Sequence, residues 1–190
     1  RQSKEKEGKQ TLRIWSAGCS SGEEPYTIAM LLLDQPWLSS WRVEVIGTDI
    51  SQRFLHMARE GLYGNASFRS TDDTQKRRFF TKHGEKYRVN DEVRNLVSIS
   101  HLNLFDSARI ALLGKMDVIF CRNVIIYFDQ AGKKKAIESF FQRLNPEGFL
   151  LLGHSESLIN LSTSFQLKHF QHDMVYQKPL TTSSLSGGLL

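Results

Sequence analysis

The residues able to do chemistry gather behind short apolar segments. Ala17-Gly18-Cys19-Ser20-Ser21-Gly22 is a turn of small residues, and Glu23-Glu24 follow it directly. Gly18 and Gly22 allow a tight turn and close approach of backbone to a ligand. The spacing is G-x-S-x-G rather than the G-x-G-x-x-G of dinucleotide folds, and no lysine follows as in a P-loop. A plain strand-to-helix turn has the same composition, so the motif alone assigns nothing. The two glutamates sharpen it. Carboxylates in a first helical turn favour the helix dipole by about 0.3–1 kcal/mol each, which is a sufficient structural reason for them. They also repel any pyrophosphate docked there.

A ligand with a cationic end and no phosphate suits such a turn better than NAD or ATP. S-adenosylmethionine, with an ammonium and a sulfonium, is one. Asp49 closes a second apolar segment, after Thr48. A carboxylate there can accept from both hydroxyls of a ribose; it can equally cap a helix before Ser51. A third cluster, Phe120-Cys121-Arg122-Asn123-Val124-Ile125-Ile126-Tyr127-Phe128, brings Arg, Asn and Tyr to the end of another apolar segment. Its plainer reading is a loop anchored by Arg122, with Tyr127 at the edge of the core. Gly153-His154-Ser155-Glu156-Ser157 imitates a nucleophile elbow, but Ser157 replaces the last glycine. Adjacent His154, Ser155 and Glu156 cannot form a mutual triad, which argues against a serine hydrolase. No metal site is expected: His169 and His172, three apart in an extended stretch, point to opposite faces. Cys19 and Cys121 read as buried small hydrophobes at strand ends.

These clusters need a scaffold. Leu12–Ala17 alternates as a strand, and a helix follows, with Ser20 or Ser21 as N-cap and Glu23 or Glu24 completing a capping box. Val43–Thr48 is a second strand. Ser51 caps a helix that Gly61 stops. Asp72 to about Lys82 is a short helix; Glu85–Val89 and Val93–Ser100 are extended. Met116–Cys121 is a buried strand, Asp129 opens a helix to about Leu144, Asn145-Pro146-Glu147-Gly148 turns, and Phe149–Leu152 is buried again. Phe165–Phe170 and Met174–Lys178 close as an antiparallel pair. Alternating strands and helices predict an α/β fold with a mostly parallel sheet covered on both faces, and ligands beyond the strands' carboxyl ends.

Composition sets the outer limits. The chain has 190 residues, 40% hydrophobic and 24% charged, enough to bury a full core in one domain. No apolar run reaches the length of a membrane span. The net charge of +5 is scattered. Lys76-Arg77-Arg78 and Lys133-Lys134-Lys135 read as solvated helix faces, and no nucleic-acid-binding pattern accompanies them. Residues 1–11 read as a polar lead-in rather than a signal peptide, and 179–190 as a flexible tail. With only two cysteines, a cytoplasmic setting is expected.

Taken together, WSAGCSSGEEPYTIAM (15–30), GTDIS (47–51), NLF (103–105), FCRNVIIYFD (120–129) and GHSES (153–157) resemble the CheR family. These are chemotaxis methyltransferases that use S-adenosylmethionine to methylate glutamates on chemoreceptors. The resemblance runs from Leu12 to Lys178, with the motifs in order. It implies a Rossmann-like methyltransferase fold over 12–178, with an antiparallel terminal strand and a small β-subdomain inserted at about 68–99. It implies that Ala17, Gly18 and Gly22 wrap the cofactor, that Glu24 meets the methionine ammonium and that Asp49 holds the ribose. Asn103 and Leu104 would flank the adenine. Arg122 and Asn123 would lie near the methionyl part, and Tyr127 by the transferable methyl. The family also carries an N-terminal helical domain and a linker whose Thr, Phe and Arg residues help cover the cofactor; the polar start of this chain offers no counterpart to that arginine. An uncovered cofactor keeps its water, which lowers affinity and rate.

The implied partners are the cytoplasmic domains of chemoreceptors, with no nucleic acid and no membrane insertion. Some members grip a receptor's C-terminal tethering peptide with the β-subdomain; the short hairpin around His83-Gly84-Glu85-Lys86 puts that docking in doubt here. The alternative function is a non-catalytic regulatory module that binds S-adenosylmethionine or S-adenosylhomocysteine. An RNA or small-molecule methyltransferase shares the same core.

Overall fold

The computed structural model describes residues 8, 10–170 and 174–180. Most of the expected lead-in and tail, and His172, therefore lie outside the described residues. In chain order the elements are β1 (Thr11–Ala17), α1 (Glu23–Leu33), β2 (Arg42–Asp49), α2 (Gln52–Glu60), β3 (Leu62–Tyr63), α3 (Asp73–Phe79), β4 (Phe80–His83), β5 (Lys86–Val89), α4 (Asp91–Arg94), β6 (Val97–His101), α5 (Ser107–Leu112), β7 (Met116–Cys121), α6 (Gln130–Arg143), β8 (Leu144–Leu152), β9 (Gln166–His169) and β10 (Met174–Gln177).

Seven strands form one sheet in the order β6-β2-β1-β7-β8-β10-β9. β1, β2, β6, β7 and β8 pair in parallel. Only β10 runs against its neighbours β8 and β9. This is the expected α/β architecture. The chain walks outward from β1 through β2 to β6, then returns to β7 on the other side. The strand order therefore reverses between β1 and β7, which opens a crevice at their carboxyl ends.

Alternation along β1 assigns its side chains to two cores. Ile14 joins Tyr26, Ile28 and Ala29 of α1 on one face. Trp15 joins Ile119, Ala136, Ile137 and Phe140 on the other, where α6 packs. A full side chain of that size buried is worth about 1.5–3 kcal/mol. Trp15 can be buried because its indole N–H donates to the Thr48 hydroxyl at 2.8 Å, which also satisfies that buried threonine.

A second sheet, β3-β5-β4, is antiparallel. Its Tyr63 and Val89, with Phe79 of α3, share the core under α1. The predicted insert at about 68–99 needs correction at both ends. β3 precedes it, and β6, with Val97 to Ile99, belongs to the main sheet. Three element boundaries also differ from expectation. Phe80–Lys82 leaves the helix for β4, because the edge of β5 supplies ladder partners. Val93-Arg94 is helical, in α4, rather than extended. Asn145–Gly148 does not separate a helix from a strand; it is a bulge inside β8, with Glu147 at φ 61 and a register shift opposite Met116/Val118.

Candidate active site

The five parallel strands deliver every cluster singled out above to one end of the sheet. β1 leads into Ala17–Gly22, β2 into Asp49, β6 into Asn103-Leu104, β7 into Arg122–Tyr127 and β8 into Gly153–Glu156.

The first turn is wound by left-handed residues at alternate positions: Gly18 at φ 83, Ser20 at φ 48 and Gly22 at φ 94. Gly22, not Ser20 or Ser21, is the N-cap of α1, and it makes no side-chain cap bond. The expected capping box is thus absent. Only glycine suits that dihedral, and a Cβ on Gly22 would sit 2.8 Å from Ala58 Cβ and 2.9 Å from the Tyr63 hydroxyl. The Ser21 hydroxyl donates instead to Glu23 Oε2 at 2.7 Å. Tyr63 reaches in from the small sheet and donates to the Ser21 carbonyl at 2.8 Å; burial pushes its phenol up.

Four amides of this turn are already taken. Gly18 N and Cys19 N both donate to the Thr48 carbonyl at 2.8 Å, and Gly22 N donates to the Cys19 carbonyl at 2.9 Å. Ser20 N donates to Asp49 Oδ2 at 2.9 Å. Pro25, in the first helical turn, has no N–H at all. A dinucleotide fold offers such N–H groups to a pyrophosphate; this turn turns them inward.

What faces the crevice is carboxylate. Asp49 is held on both oxygens, by Ser20 N on Oδ2 and by Ser51 N on Oδ1, each at 2.9 Å. A carboxylate has about four lone-pair sites, so each oxygen keeps one free with its orientation fixed. Glu24 Oε1 accepts from the buried Ser16 hydroxyl at 2.7 Å, and Oε2 lies 3.9 Å from Arg122 Nη1. Burial raises the Glu24 carboxyl above its ordinary range, against the pull of Ser16 and Arg122. Such a group gains from a cation brought beside it. Burial, with Asp49 close by, pushes the Cys19 thiol up to about 12, and burial raises Cys121 as well. Neither is a nucleophile at neutral pH.

The opposite wall is the loop after β7. Val124 packs against Gly18, where a Cβ would overlap Val124 Cγ2. Asn123 is left-handed at φ 59. Tyr127 stands 82% exposed at the rim. Leu102 N donates to the Asp49 carbonyl at 3.0 Å and ties the start of the β6 loop to β2. Asn103 is turned onto its own loop, its Oδ1 accepting from Phe105 N at 2.9 Å, and Leu104 is buried in the core. Contacts thus tie three of these loops together, Ser20 N to Asp49, Glu24 to Arg122 and Gly18 to Val124, while Tyr127 stands exposed on the β7 loop.

Sequence reasoning missed Ser16, Tyr63, Val124 and Glu156. Ser16 carried one signal, a polar residue inside a buried strand. Glu156 accepts backbone N–H from Asn123 and Val124, more than thirty positions away, and nothing local announces that. Among the described residues no group of three or more His, Cys, Asp or Glu is placed to hold a metal. None of their helices is long and apolar enough to cross a membrane.

A doubly wound α/β domain with carboxylates set around its switch-point turn has the frame of the S-adenosylmethionine-dependent methyltransferases. N-methyltransferase NodS from Bradyrhizobium japonicum WM9, in complex with S-adenosyl-l-homocysteine, shares that fold, with a TM-score of 0.54 at 13% identity over 88% of this chain and 78% of that one. The family described as CheR methyltransferase, SAM binding domain, matches residues 1–174, and the chain belongs to it. Chemotaxis protein methyltransferase 2 of Vibrio cholerae serotype O1 is 41% identical over 170 residues, covering 88% of this chain and 59% of that protein. The chemotaxis protein methyltransferase of Vibrio parahaemolyticus serotype O3:K6 is 42% identical over 175 residues, covering 89% of this chain and 62% of that protein. The chain spans about three fifths of the length of these curated relatives.

Proposed function

We propose that the crevice binds S-adenosylmethionine and that the protein transfers its methyl group to glutamate side chains on the cytoplasmic domains of chemoreceptors. The observation that carries the reading is the pair of oriented carboxylates, Asp49 and Glu24, flanking a turn in which the amides of Gly18, Cys19, Ser20 and Gly22 are already engaged. That donor set fits a ribose diol and an ammonium, and it disfavours a diphosphate. The relatives' printed names support the chemotaxis setting. A chemoreceptor's cytoplasmic part as partner implies a cytoplasmic enzyme.

When bound, S-adenosylmethionine supplies an electrophilic methyl carbon; the acceptor oxygen forms a bond to it as the carbon–sulfur bond breaks, leaving a methyl ester and S-adenosylhomocysteine. A glutamate acceptor is ionised near neutral pH, its reference pKa being about 4.3, so no general base is required. The chain's own residues have three tasks. Asp49 and Glu24 orient the two ends of the donor. Arg122, beside Glu24, is a cation at the mouth that steers a carboxylate inward. Tyr127 narrows the channel and excludes water where opposite charges must meet.

Calorimetric titration with S-adenosylhomocysteine, with Asp49→Ala alongside, tests the donor site. Labelled methyl appearing on a receptor fragment as a base-labile ester tests the reaction. Binding without any ester would leave a regulatory module as the function, and label on RNA would redirect the substrate.

A further inference from the structure

Glu156 is used by nothing in the mechanism above, yet its carboxylate is the most heavily engaged acceptor at this end of the sheet. Oε2 accepts from Gly153 N at 2.7 Å and from Asn123 N at 2.8 Å. Oε1 accepts from Val124 N at 2.9 Å and from Ile126 N at 3.3 Å. One side chain thus satisfies four backbone donors on two separate loops. Gly153 leaves the room this needs: a Cβ there would lie 2.8 Å from Glu156 Oε2 and 3.0 Å from Asn123 N. The loop so held carries Arg122 and Tyr127, and its Val124 is the residue packed on Gly18 of the first turn.

We propose that Glu156 is a positioning residue for methyl transfer: its carboxylate clamps the Arg122–Tyr127 loop against the Gly18 turn and so sets the width of the crevice. The proposal rests on the reading of the crevice given above. Hydrogen bonds to a charged acceptor are the strong ones, and an ionised carboxylate presents acceptors only, on both oxygens. A glutamine of the same size cannot do this, because its NH₂ would face two of the four N–H donors. The charge is what lets one side chain hold both loops.

The experiment compares the parent chain with Glu156→Gln and Glu156→Asp. Amide hydrogen exchange is read at Asn123, Val124 and Ile126, and S-adenosylhomocysteine affinity by calorimetry. In Glu156→Gln the three amides exchange at least tenfold faster while those of α6 are unchanged, and affinity falls at least tenfold. Glu156→Asp keeps the charge one methylene short. It releases Ile126, the longest of the four bonds, first, and it carries the test should the glutamine variant fail to fold. Unchanged protection in both variants overturns the clamp. Lost protection with unchanged affinity overturns its role in positioning. A parent chain that binds no S-adenosylhomocysteine overturns the reading of the crevice and the positioning role with it, and the exchange data distinguish that failure from a failed clamp.

Discussion

The contact between Gly18 and Val124 can be tested by a double-mutant cycle whose terms follow from the geometry. Gly18→Ala carries two costs. The residue sits at φ 83, where an L side chain loses roughly 1–2 kcal/mol. The new Cβ would overlap Val124 Cγ2 and lie 3.3 Å from Cγ1 and 3.5 Å from Cβ. Overpacking of that kind costs about 1–3 kcal/mol. Val124→Ala alone removes two partly buried methyl groups, a loss on the order of 1 kcal/mol. The double variant keeps the dihedral strain and the lost methyls but not the overlap, since the remaining Cβ is at ordinary contact distance. Urea unfolding of the four proteins should therefore give a coupling of about 1–3 kcal/mol in favour of the double variant, well beyond the 0.3–0.5 kcal/mol scatter of independent sites. Additive free energies would refute the argument that close approach of the β7 loop, and not the dihedral alone, demands glycine at this position. Calorimetry on the same four proteins adds a second readout. Gly18→Ala, which forces the loop outward, should lose S-adenosylhomocysteine affinity that Val124→Ala restores in part.

Three further outcomes follow from the crevice. Asp49→Ala removes a charged acceptor whose bonds are each worth about 1.5–3 kcal/mol, so S-adenosylhomocysteine affinity should fall by roughly tenfold to a hundredfold; an unchanged titration would remove Asp49 from the ribose site. Glu24→Gln should weaken the same ligand but relieve a burial cost. The folded carboxyl lies above its unfolded value, so the stability it contributes is present below that value and is lost as pH rises through the folded one. The variant should therefore gain in melting temperature relative to the parent between pH 4 and 7, and a gain that shrinks over that interval would reverse the assignment. Tyr127→Ala should leave stability within about 0.5 kcal/mol, because the ring is 82% exposed, while slowing methyl transfer; full turnover by Tyr127→Phe would show that the hydroxyl has no part in it.

The scaffold was legible because its signals are local. Alternation in β1, Ser51 and Gly61 bracketing α2, and Asp129 opening α6 each read from a few neighbouring residues; Asp129 Oδ1 does accept from Gly132 N at 2.7 Å, and Ser51 Oγ accepts from Phe54 N at 3.4 Å. The start of α1 misled for a physical reason. Two serines beside two glutamates imitate a capping box, but the chain must turn back under Thr48 there, and only a left-handed glycine at position 22 makes that turn without meeting Ala58. Phe80–His83 misled because a basic, helix-forming run continues into residues that pair with β5 across the hairpin at Gly84-Glu85, β5 being held in turn by β3. Tertiary pairing overrode propensity. The GHSES segment was rightly set aside as a nucleophile motif, yet its Glu156 bonds were not legible: its carboxylate does its work on partners that no sequence window contains.

The same carboxylates explain why this fold, which elsewhere serves dinucleotides, is poorly suited to them here. A pyrophosphate needs free N–H groups at the first turn and a field without negative charge. In this chain Thr48 and Asp49 take three of the turn's amides, Pro25 withholds another, and Glu23 and Glu24 occupy the helix's positive end. Replacing any one of these would leave the others in force. On the proposed reading, specificity against phosphate is distributed over β1, β2 and α1, whereas affinity for a cation would rest on Glu24, which has Ser16 on one oxygen and Arg122 at the other. The two properties are separable: a single substitution at Glu24 can abolish the second without creating a nucleotide site.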